Sequence, residues 1–268
     1  MLENEGSKLT KVVTCSPKRE YFHVDDPAAH NIIEVADPEK ATEQHLKLRT
    51  VLENFGSEVI DADELVRHPN SVFTRDTALV TPRGYVKLSM GIATRDGEEQ
   101  WMAGILDSLN EPCTGMISKP GTVEGGDVIV CGSVVFMGRT RRTNVEGIEQ
   151  LSRIFHGMDY EVRVARLPDT YLHLDQVIGV FGPDYLVYCR ELFTDKFFEG
   201  FDTVKCSCDG FNVNFICLGN SEILAPLANT GIASLAREHG IKVRAVDLSE
   251  FAKGAGGPNC LVMPVERE

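Results

Sequence analysis

Five stretches of similar character recur along this 268-residue chain, and their spacing constrains the fold more than any other feature. Each stretch sets polar residues just before an apolar run, at positions 70–76, 124–128, 172–175, 212–215 and 256–261. The marker residues Asp76, Asp127, Asp175, Asn214 and Cys260 stand 51, 48, 39 and 46 residues apart. A period of this size indicates stacked or radially arranged repeats, and repeats around an axis would bring equivalent residues into one pocket.

The composition limits the classes of partner. The hydrophobic and charged fractions, 43% and 25%, are ordinary for a soluble globular protein. The net charge of −13 argues against a nucleic-acid partner, which needs a basic surface. It fits a cationic ligand, or simply a well-solvated surface. Residues 1–6 lack the start of a signal peptide, and no apolar run approaches the roughly 20 residues of a membrane span. We therefore expect neither a membrane nor a nucleic-acid partner.

The eight cysteines indicate a reducing compartment. Cys131, Cys189 and Cys217 lie inside apolar, strand-like runs, where reduced structural thiols are expected, so the predicted location is the cytoplasm. The sequence Cys206-Ser207-Cys208 has no second Cys or His pair at metal-binding spacing, so zinc is not predicted.

Each marker is followed by the same order of predicted elements, strand–strand–helix–strand. The hairpins are predicted at 77–88, 128–137, 176–188 and 215–224, with Gly, Pro or Asn at the turns. The helices are predicted at 38–54, 98–109, 145–156, 230–239 and, more weakly, 193–201. The strands after the helices are predicted at 58–61, 116–118, 161–165, 203–206 and 242–247.

A fifth unit closes when the strand at 260–265 combines with the N-terminal strand at 11–15. No linker or low-complexity tract interrupts the chain, so residues 1–268 are predicted to form one catalytic domain. The alternative is an ordinary α+β domain in which the marker spacing is coincidental.

Two of the stretches carry a thiol and a histidine. Cys260 follows the loop Gly254-Ala255-Gly256-Gly257-Pro258, which lets the backbone approach a ligand closely; the alternative is a buried structural cysteine. His173 and Asp175 alternate with leucines, so a strand would aim both polar side chains to one face. Such a pair suits acid–base chemistry, or is a surface pair.

The acidic residues suggest a cationic ligand. Glu124 and Asp127 flank two glycines, and Asp76 precedes an apolar strand. A guanidinium, with five donors in one plane, is the natural partner of several carboxylates in a small pocket. Metal binding is the rival, but these spacings match no recognised ligand set, so we predict neither metal nor cofactor. Four arginines could hold a substrate carboxylate or be solvated: Arg95, Arg139, Arg141 and Arg142.

Together the motifs resemble those of the guanidine-modifying enzymes: arginine deiminases, dimethylarginine dimethylaminohydrolases and amidinotransferases. The matching segments, in order, are Asn70-Ser71-Val72-Phe73-Thr74-Arg75-Asp76, Glu124-Gly125-Gly126-Asp127, Arg142-Thr143-Asn144, His173-Leu174-Asp175 and Gly256-Gly257-Pro258-Asn259-Cys260. The resemblance implies the pentein fold, a fivefold pseudosymmetric α/β propeller built from ββαβ repeats.

The resemblance also implies roles for these residues. Cys260 would be the nucleophile, His173 the general acid and base, and Glu124 the partner of His173 or of the substrate guanidinium. The substrate-binding residues would be Asp76 and Asp175 for the guanidinium, Arg95 and Arg142 for the α-carboxylate, with Asn70 and Asp127 completing the set.

The chain is a mixture of two subfamilies. Its length is similar to that of the dimethylarginine hydrolases. The sequence motifs Phe-Thr-Arg-Asp, His-Leu-Asp and Gly-Gly-Pro-x-Cys are more similar to those of arginine deiminases. Ala255 stands where arginine deiminases usually carry an arginine, and Asn70 stands where dimethylarginine hydrolases usually carry an aspartate. The exact substrate is therefore left open.

The predicted function is hydrolysis of the guanidinium of free arginine or an N-methylated arginine. A covalent Cys260 thiouronium would give a ureido product such as citrulline, with release of ammonia or methylamine. The predicted partner is a small cationic guanidino substrate, and a homodimer is an open alternative to a monomer. Three other functions remain: an amidinotransferase, a cysteine peptidase, and a non-catalytic pentein that binds a macromolecule, as a ribosome-binding translation factor does.

Overall fold

The computed structural model describes residues 4–208 and 213–268; the first residue of the fourth repeated stretch, Asn212, lies outside these ranges. The strands are β1 (Leu9–Cys15), β2 (Glu58–Ala62), β3 (Ala78–Thr81), β4 (Gly84–Lys87), β5 (Cys113–Met116), β6 (Val128–Cys131), β7 (Val134–Arg139), β8 (Glu161–Arg166), β9 (Ile178–Gly182), β10 (Tyr185–Cys189), β11 (Asp202–Cys206), β12 (Ile216–Gly219), β13 (Glu222–Pro226), β14 (Lys242–Val246) and β15 (Met263–Arg267). The helices are α1 (Pro38–Phe55), α2 (Glu98–Ser108), α3 (Val145–His156), α4 (Thr230–Glu238) and α5 (Ser249–Ala252).

The strands form five three-stranded sheets of one pattern. In β3-β4-β5, β6-β7-β8, β9-β10-β11 and β12-β13-β14, an antiparallel hairpin is followed by a third strand parallel to the middle one. The fifth sheet, β15-β1-β2, joins the two ends of the chain, with β15 antiparallel and β2 parallel to β1. The predicted closure of a fifth unit by both chain ends is thus confirmed.

The sheets are arranged radially, with their first strands inward. Strands β3, β6 and β12 are buried along their whole length, whereas β5 and β8 are largely exposed or half-buried. Neighbouring sheets contact one another through first strands where β3 meets β15 and β9 meets β12, while β1, the middle strand of its sheet, contacts β12. Apolar residues on the inner strands therefore form a core around the axis, and the turns before these strands converge at one end of it.

Capping residues place the long helices where the sequence predicts them. The Asp37 side chain accepts a hydrogen bond from Lys40 N, and α1 ends at Gly56, whose φ of 107° favours glycine. Helix α3 has the predicted bounds because Asn144 accepts from Gly147 N at 2.8 Å. In the described ranges, no helix has the length and apolar character of a membrane span.

Four predicted elements are wrong or displaced. The helix at 193–201 is only a 3₁₀ turn, Asp195–Phe198, in which aromatic rings pack against one another. The strand at 116–118 lies earlier, because the segment Cys113–Met116 forms the ladder with β4.

The other two affect the motifs directly. The strand expected at 260–265 begins at Met263, so Cys260 lies in the preceding turn. The segment 172–175 is not a strand: Leu174–Gln176 is a 3₁₀ turn with His173 at its N-cap, held by reciprocal bonds between His173 and Gln176. Local hydrogen bonds within this turn replace the ladder that the alternation predicted.

Candidate active site

Equivalent turns of successive sheets build the site. The 3₁₀ turns Thr74–Asp76, Gly125–Asp127 and Leu174–Gln176 come directly before β3, β6 and β9 and contact one another near the axis. The first of these turns contains Asp76, the second has Glu124 as its N-cap residue, and the third has His173. The prediction that marker residues of separate repeats converge is correct for these three turns.

Glu124 connects several residues of the site by hydrogen bonds. It is fully buried, and its Oε2 atom lies 2.8 Å from His173 Nε2. Its two oxygens also accept from Arg142 Nη1 at 3.0 and 3.1 Å, and Oε1 accepts from Gly91 N at 2.9 Å. Burial alone would raise the pKa of Glu124, but the His173 hydrogen bond and the charges of Arg95 and Arg142 hold it well below its usual value. Glu124 is therefore an ionised acceptor that orients His173.

His173 is held as a cation. Burial would lower its pKa, but Asp76, Glu124 and Asp127 outweigh burial and raise it to about 10. Its Nδ1 atom lies 3.9 Å from Asp76 Oδ1. Gly126 makes this position possible, because a Cβ there would lie 2.7 Å from the His173 ring. His173 can therefore donate a proton at neutral pH.

Cys260 faces the carboxylate of Asp175. Its Sγ atom lies 3.5 Å from Asn214 Nδ2 and 3.9 Å from Asp175 Oδ2. Burial and the negative charges of Asp175 and Asp76 raise the pKa of the Cys260 thiol well above its usual value. The sulfur is thus a neutral thiol until a positive charge comes close to it.

Asp175 is held by two amides that the sequence analysis did not assign to the site. Its Oδ2 atom accepts from Asn214 Nδ2 at 2.8 Å and Asn259 Nδ2 at 2.9 Å, whereas Oδ1 is buried with no hydrogen-bond partner among the described residues. Burial raises the pKa of Asp175 to about 6. Both asparagines belong to the repeated stretches, and Asn214 is itself a marker, so the spacing was the signal that could have found them.

Asp76 and Arg95 form a buried ion pair. Arg95 Nη1 lies 2.7 Å from Asp76 Oδ2, and Arg95 Nη2 lies 2.7 Å from Glu98 Oε2 and donates to Phe73 O. Asp76 Oδ1 also accepts from Gly126 N. Arg95 lines the pocket, but its donors are held by protein acceptors, and Glu98 is a partner that the sequence analysis missed.

Arg142 has donors to spare. It lines the same pocket, and its Nη1 atom donates to both carboxylate oxygens of Glu124. Its other guanidinium nitrogens have no side-chain hydrogen bond among the described residues.

Asn70 and Asp127 take different positions. Asn70 lines the pocket and makes a reciprocal pair with His30. Asp127 does not lie on the pocket wall: its Oδ1 accepts from Leu174 N and its Oδ2 from Thr140 Oγ1. Asp127 thereby positions the turn that follows His173.

A metal ion is a second possible occupant of the acidic cluster. One ligand atom from each of Asp76, Glu124 and His173 lies within 4.8 Å of the others, the one such group among the described residues. However, Glu124 already accepts from Arg142 and His173, and Asp76 from Arg95. Arginine charges thus occupy the acceptors that a metal would need.

A space of about 290 Å³, partly open to solvent, lies beside these residues and is lined by His30, Asn31, Asn70, Phe73, Asp76, Arg95, Arg142, Leu172, His173, Gly254, Ala255, Gly256 and Cys260. A second space, lined by Asp175, Asn214, His173 and Cys260 among others, adjoins it across the sulfur. The site is small and acidic around the thiol, and Arg95 and Arg142 line the same cavity.

Solved structures of similar fold identify the class. The structure of a dimethylarginine dimethylaminohydrolase mutant from Pseudomonas aeruginosa with citrulline superposes with a TM-score of 0.84, at 24% identity, covering 96% of this chain and 99% of that one. The N-terminal domain of ArgZ, an arginine dihydrolase from cyanobacteria, gives 0.83 at 22% identity, covering 97% and 98%. The protein is thus a pentein, a fivefold pseudosymmetric α/β propeller with a buried cysteine near its axis.

The family follows from the sequence comparisons. The family model described as arginine deiminase matches residues 29–205 and 207–267, and the chain belongs to this family. An uncharacterized protein of Aeropyrum pernix is 31% identical over 85% of this chain and 84% of its own length. A dimethylarginine dimethylaminohydrolase of Pseudomonas aeruginosa is 27% identical over 84% and 88%. Its relatives therefore include guanidino-group hydrolases.

Proposed function

We propose that this protein hydrolyses the guanidinium group of free arginine or an N-methylated arginine through a covalent intermediate on Cys260. The observation that carries the proposal is the charge around the sulfur. Asp175 lies 3.9 Å from Sγ, and the two acids Asp175 and Asp76 oppose ionisation of the thiol. A guanidinium placed between them supplies the positive charge that favours the thiolate, so the substrate activates its own nucleophile.

The reaction then follows from the neighbouring groups. As the guanidinium binds, the Cys260 thiol gives up its proton to water. The thiolate then forms a bond to the central guanidinium carbon, and protonated His173 delivers a proton to the leaving nitrogen as its C–N bond breaks. Ammonia or an alkylamine departs, and a thiouronium remains on the sulfur. Neutral His173 next takes a proton from water, whose oxygen attacks the same carbon and expels the thiolate, leaving the ureido product.

The distribution of charge along the pocket supports a substrate with an amino-acid end. Asp76 and Asp175 flank the sulfur and suit the guanidinium. Arg142, with its spare donors, suits the α-carboxylate better than Arg95, whose donors are bound to Asp76, Glu98 and Phe73. Asn70 lies on the wall of the same cavity. We assign Asp127 to positioning the His173 turn rather than to substrate contact.

The acceptors favour arginine over asymmetric dimethylarginine. Asp175 Oδ1 is a buried acceptor without a partner among the described residues. Methylation of both hydrogens of one nitrogen removes two donors, and a site built to bond an N–H discriminates strongly against an analogue that lacks it. We therefore expect activity to fall from arginine to monomethylarginine to asymmetric dimethylarginine.

All eight cysteines are free thiols, which supports a reducing, cytoplasmic location.

The test is a product assay. The protein is incubated with each of the three substrates, and citrulline, ornithine, ammonia and alkylamines are quantified, with and without an amine acceptor. One ammonia per citrulline from arginine, or one alkylamine per citrulline from a methylated arginine, supports the proposed hydrolysis. Two ammonia per ornithine would indicate a dihydrolase, as ArgZ is described, and a transferred amidino group would indicate an amidinotransferase. The Cys260→Ser variant is the control, and product formation by it would contradict the covalent mechanism.

A further inference from the structure

His30 is a half-buried residue that lines the pocket and takes no part in the steps above. It ends the 3₁₀ turn Ala28–His30, which is joined to the Arg95 turn by a hydrogen bond from Thr94 Oγ1 to Ala29 O at 3.1 Å. On its other side, Ile33 N donates to Lys253 O at 2.7 Å, beside the loop that leads to Cys260. The turn therefore bridges two walls of the pocket, and His30 lines the space between them.

Asn70 determines which ring nitrogen of His30 carries the proton. Asn70 Nδ2 donates to His30 O at 3.1 Å, which identifies Oδ1 as the acceptor facing His30 Nδ1 at 3.2 Å. Since an acceptor oxygen needs a donor, Nδ1 carries the hydrogen. In the neutral ring Nε2 is then an acceptor, and it has no hydrogen-bond partner among the described residues.

Asp76 is the single carboxylate among the described residues that line this cavity, and it is bound to Arg95 and Gly126. Arg142 supplies positive charge and suits a carboxylate. An amino acid whose carboxylate lies on Arg142 still has an ammonium group to place, with three donors that need acceptors.

We infer that His30 is a substrate-recognition residue whose Nε2 atom accepts a hydrogen bond from the α-amino group of the guanidino substrate. This inference rests on the proposed function. Asn70 acts through His30, as the residue that fixes its tautomer and its ring orientation. Through His30, the neutral Asn70 side chain contributes to binding the cationic α-amino group, for which a carboxylate would be the usual partner.

The test compares substrates that differ in one group. His30→Ala is assayed with arginine, with 5-guanidinopentanoate, which lacks the amino group, and with agmatine, which keeps the amine but lacks the carboxylate. A hydrogen bond to a charged group in a half-exposed position predicts about a tenfold rise in KM for arginine and agmatine, with kcat little changed. For 5-guanidinopentanoate the variant should equal the wild type.

Three further variants separate recognition from structure. His30→Gln offers an amide oxygen, so its rise in KM for arginine should be smaller than that of His30→Ala. Asn70→Ala, which leaves the His30 ring unfixed, should show part of the same rise in KM. His23→Ala, on an exposed neighbouring residue, should have no effect. The inference would be overturned if His30→Ala raised KM equally for arginine and for 5-guanidinopentanoate. It would also be overturned if the KM for agmatine were unchanged. If the wild type turns over none of these compounds, the proposed function fails, and the same comparison is read from their binding to Cys260→Ser by calorimetry.

Discussion

Replacing Asp175 with Asn should change the chemistry of Cys260 in two opposite directions. The amide is nearly isosteric and keeps an oxygen for Asn214 and Asn259, but it removes a negative charge 3.9 Å from the sulfur. Without that charge the thiolate forms more readily, so a neutral alkylating reagent should modify Cys260 faster. The same change removes an ionic contact to guanidinium, so substrate turnover should become slower.

The size of the first effect follows from the distance. Two unit charges about 4 Å apart interact by about 4 kcal/mol at an effective dielectric constant of 20, and each 1.36 kcal/mol corresponds to one pKa unit. The thiolate fraction of Cys260 should therefore rise by roughly 100- to 1,000-fold at pH 8. The second effect, loss of one charge-assisted hydrogen bond, predicts about a 10- to 150-fold fall in kcat/KM.

The assay is iodoacetamide modification followed by mass spectrometry of the Cys260 peptide, from pH 5 to 9. Because the pKa of Asp175 is raised to about 6, the carboxyl is neutral below that pH and the two proteins should then react alike. Asp127→Asn is the matched control, since Asp127 is equally buried but bonded to Leu174 N and Thr140. Equal alkylation of wild type and Asp175→Asn at pH 8 would refute the electrostatic reasoning.

Three further outcomes are expected. Cys260→Ser should lose several orders of magnitude in kcat with an unchanged unfolding temperature, while Cys206→Ser keeps its activity; an equally inactive Cys206→Ser would mean that the nucleophile is misassigned. His173→Gln should stop turnover, and a mass adduct on Cys260 would show that only the second step needs this residue, whereas wild-type turnover with an unshifted pH profile would exclude it. Because the folded-state pKa of His173 is about 10, above its usual 6.5, the stability it contributes is complete below pH 6.5 and is lost as pH rises to 10. Urea unfolding at pH 6 and pH 9 should show this loss in the wild type, and His173→Gln should show less of it.

The sequence was sufficient for the repeat architecture. Hydrophobic periodicity and capping residues are local signals, and they located α3 at Val145–His156 and α1 to within a residue at its end. The marker spacing also pointed to convergence, because equivalent turns of a ring of sheets must meet at its axis. Residues at those turns, among them Asp76, Glu124 and His173, could therefore be predicted from the sequence as candidate site residues.

What only the tertiary structure decided is the pairing of charges. No sequence pattern shows that Arg95 is bound to Asp76 and Glu98, that Asp127 lies behind the pocket, or that His30 meets Asn70 across 40 residues. The alternation around His173 predicted a strand, yet local bonds made a 3₁₀ turn that aims the ring at Glu124. Periodicity reports which side of an element is buried, whereas partners of buried charges depend on atoms brought together from distant segments within about 4 Å, where their interaction is strongest.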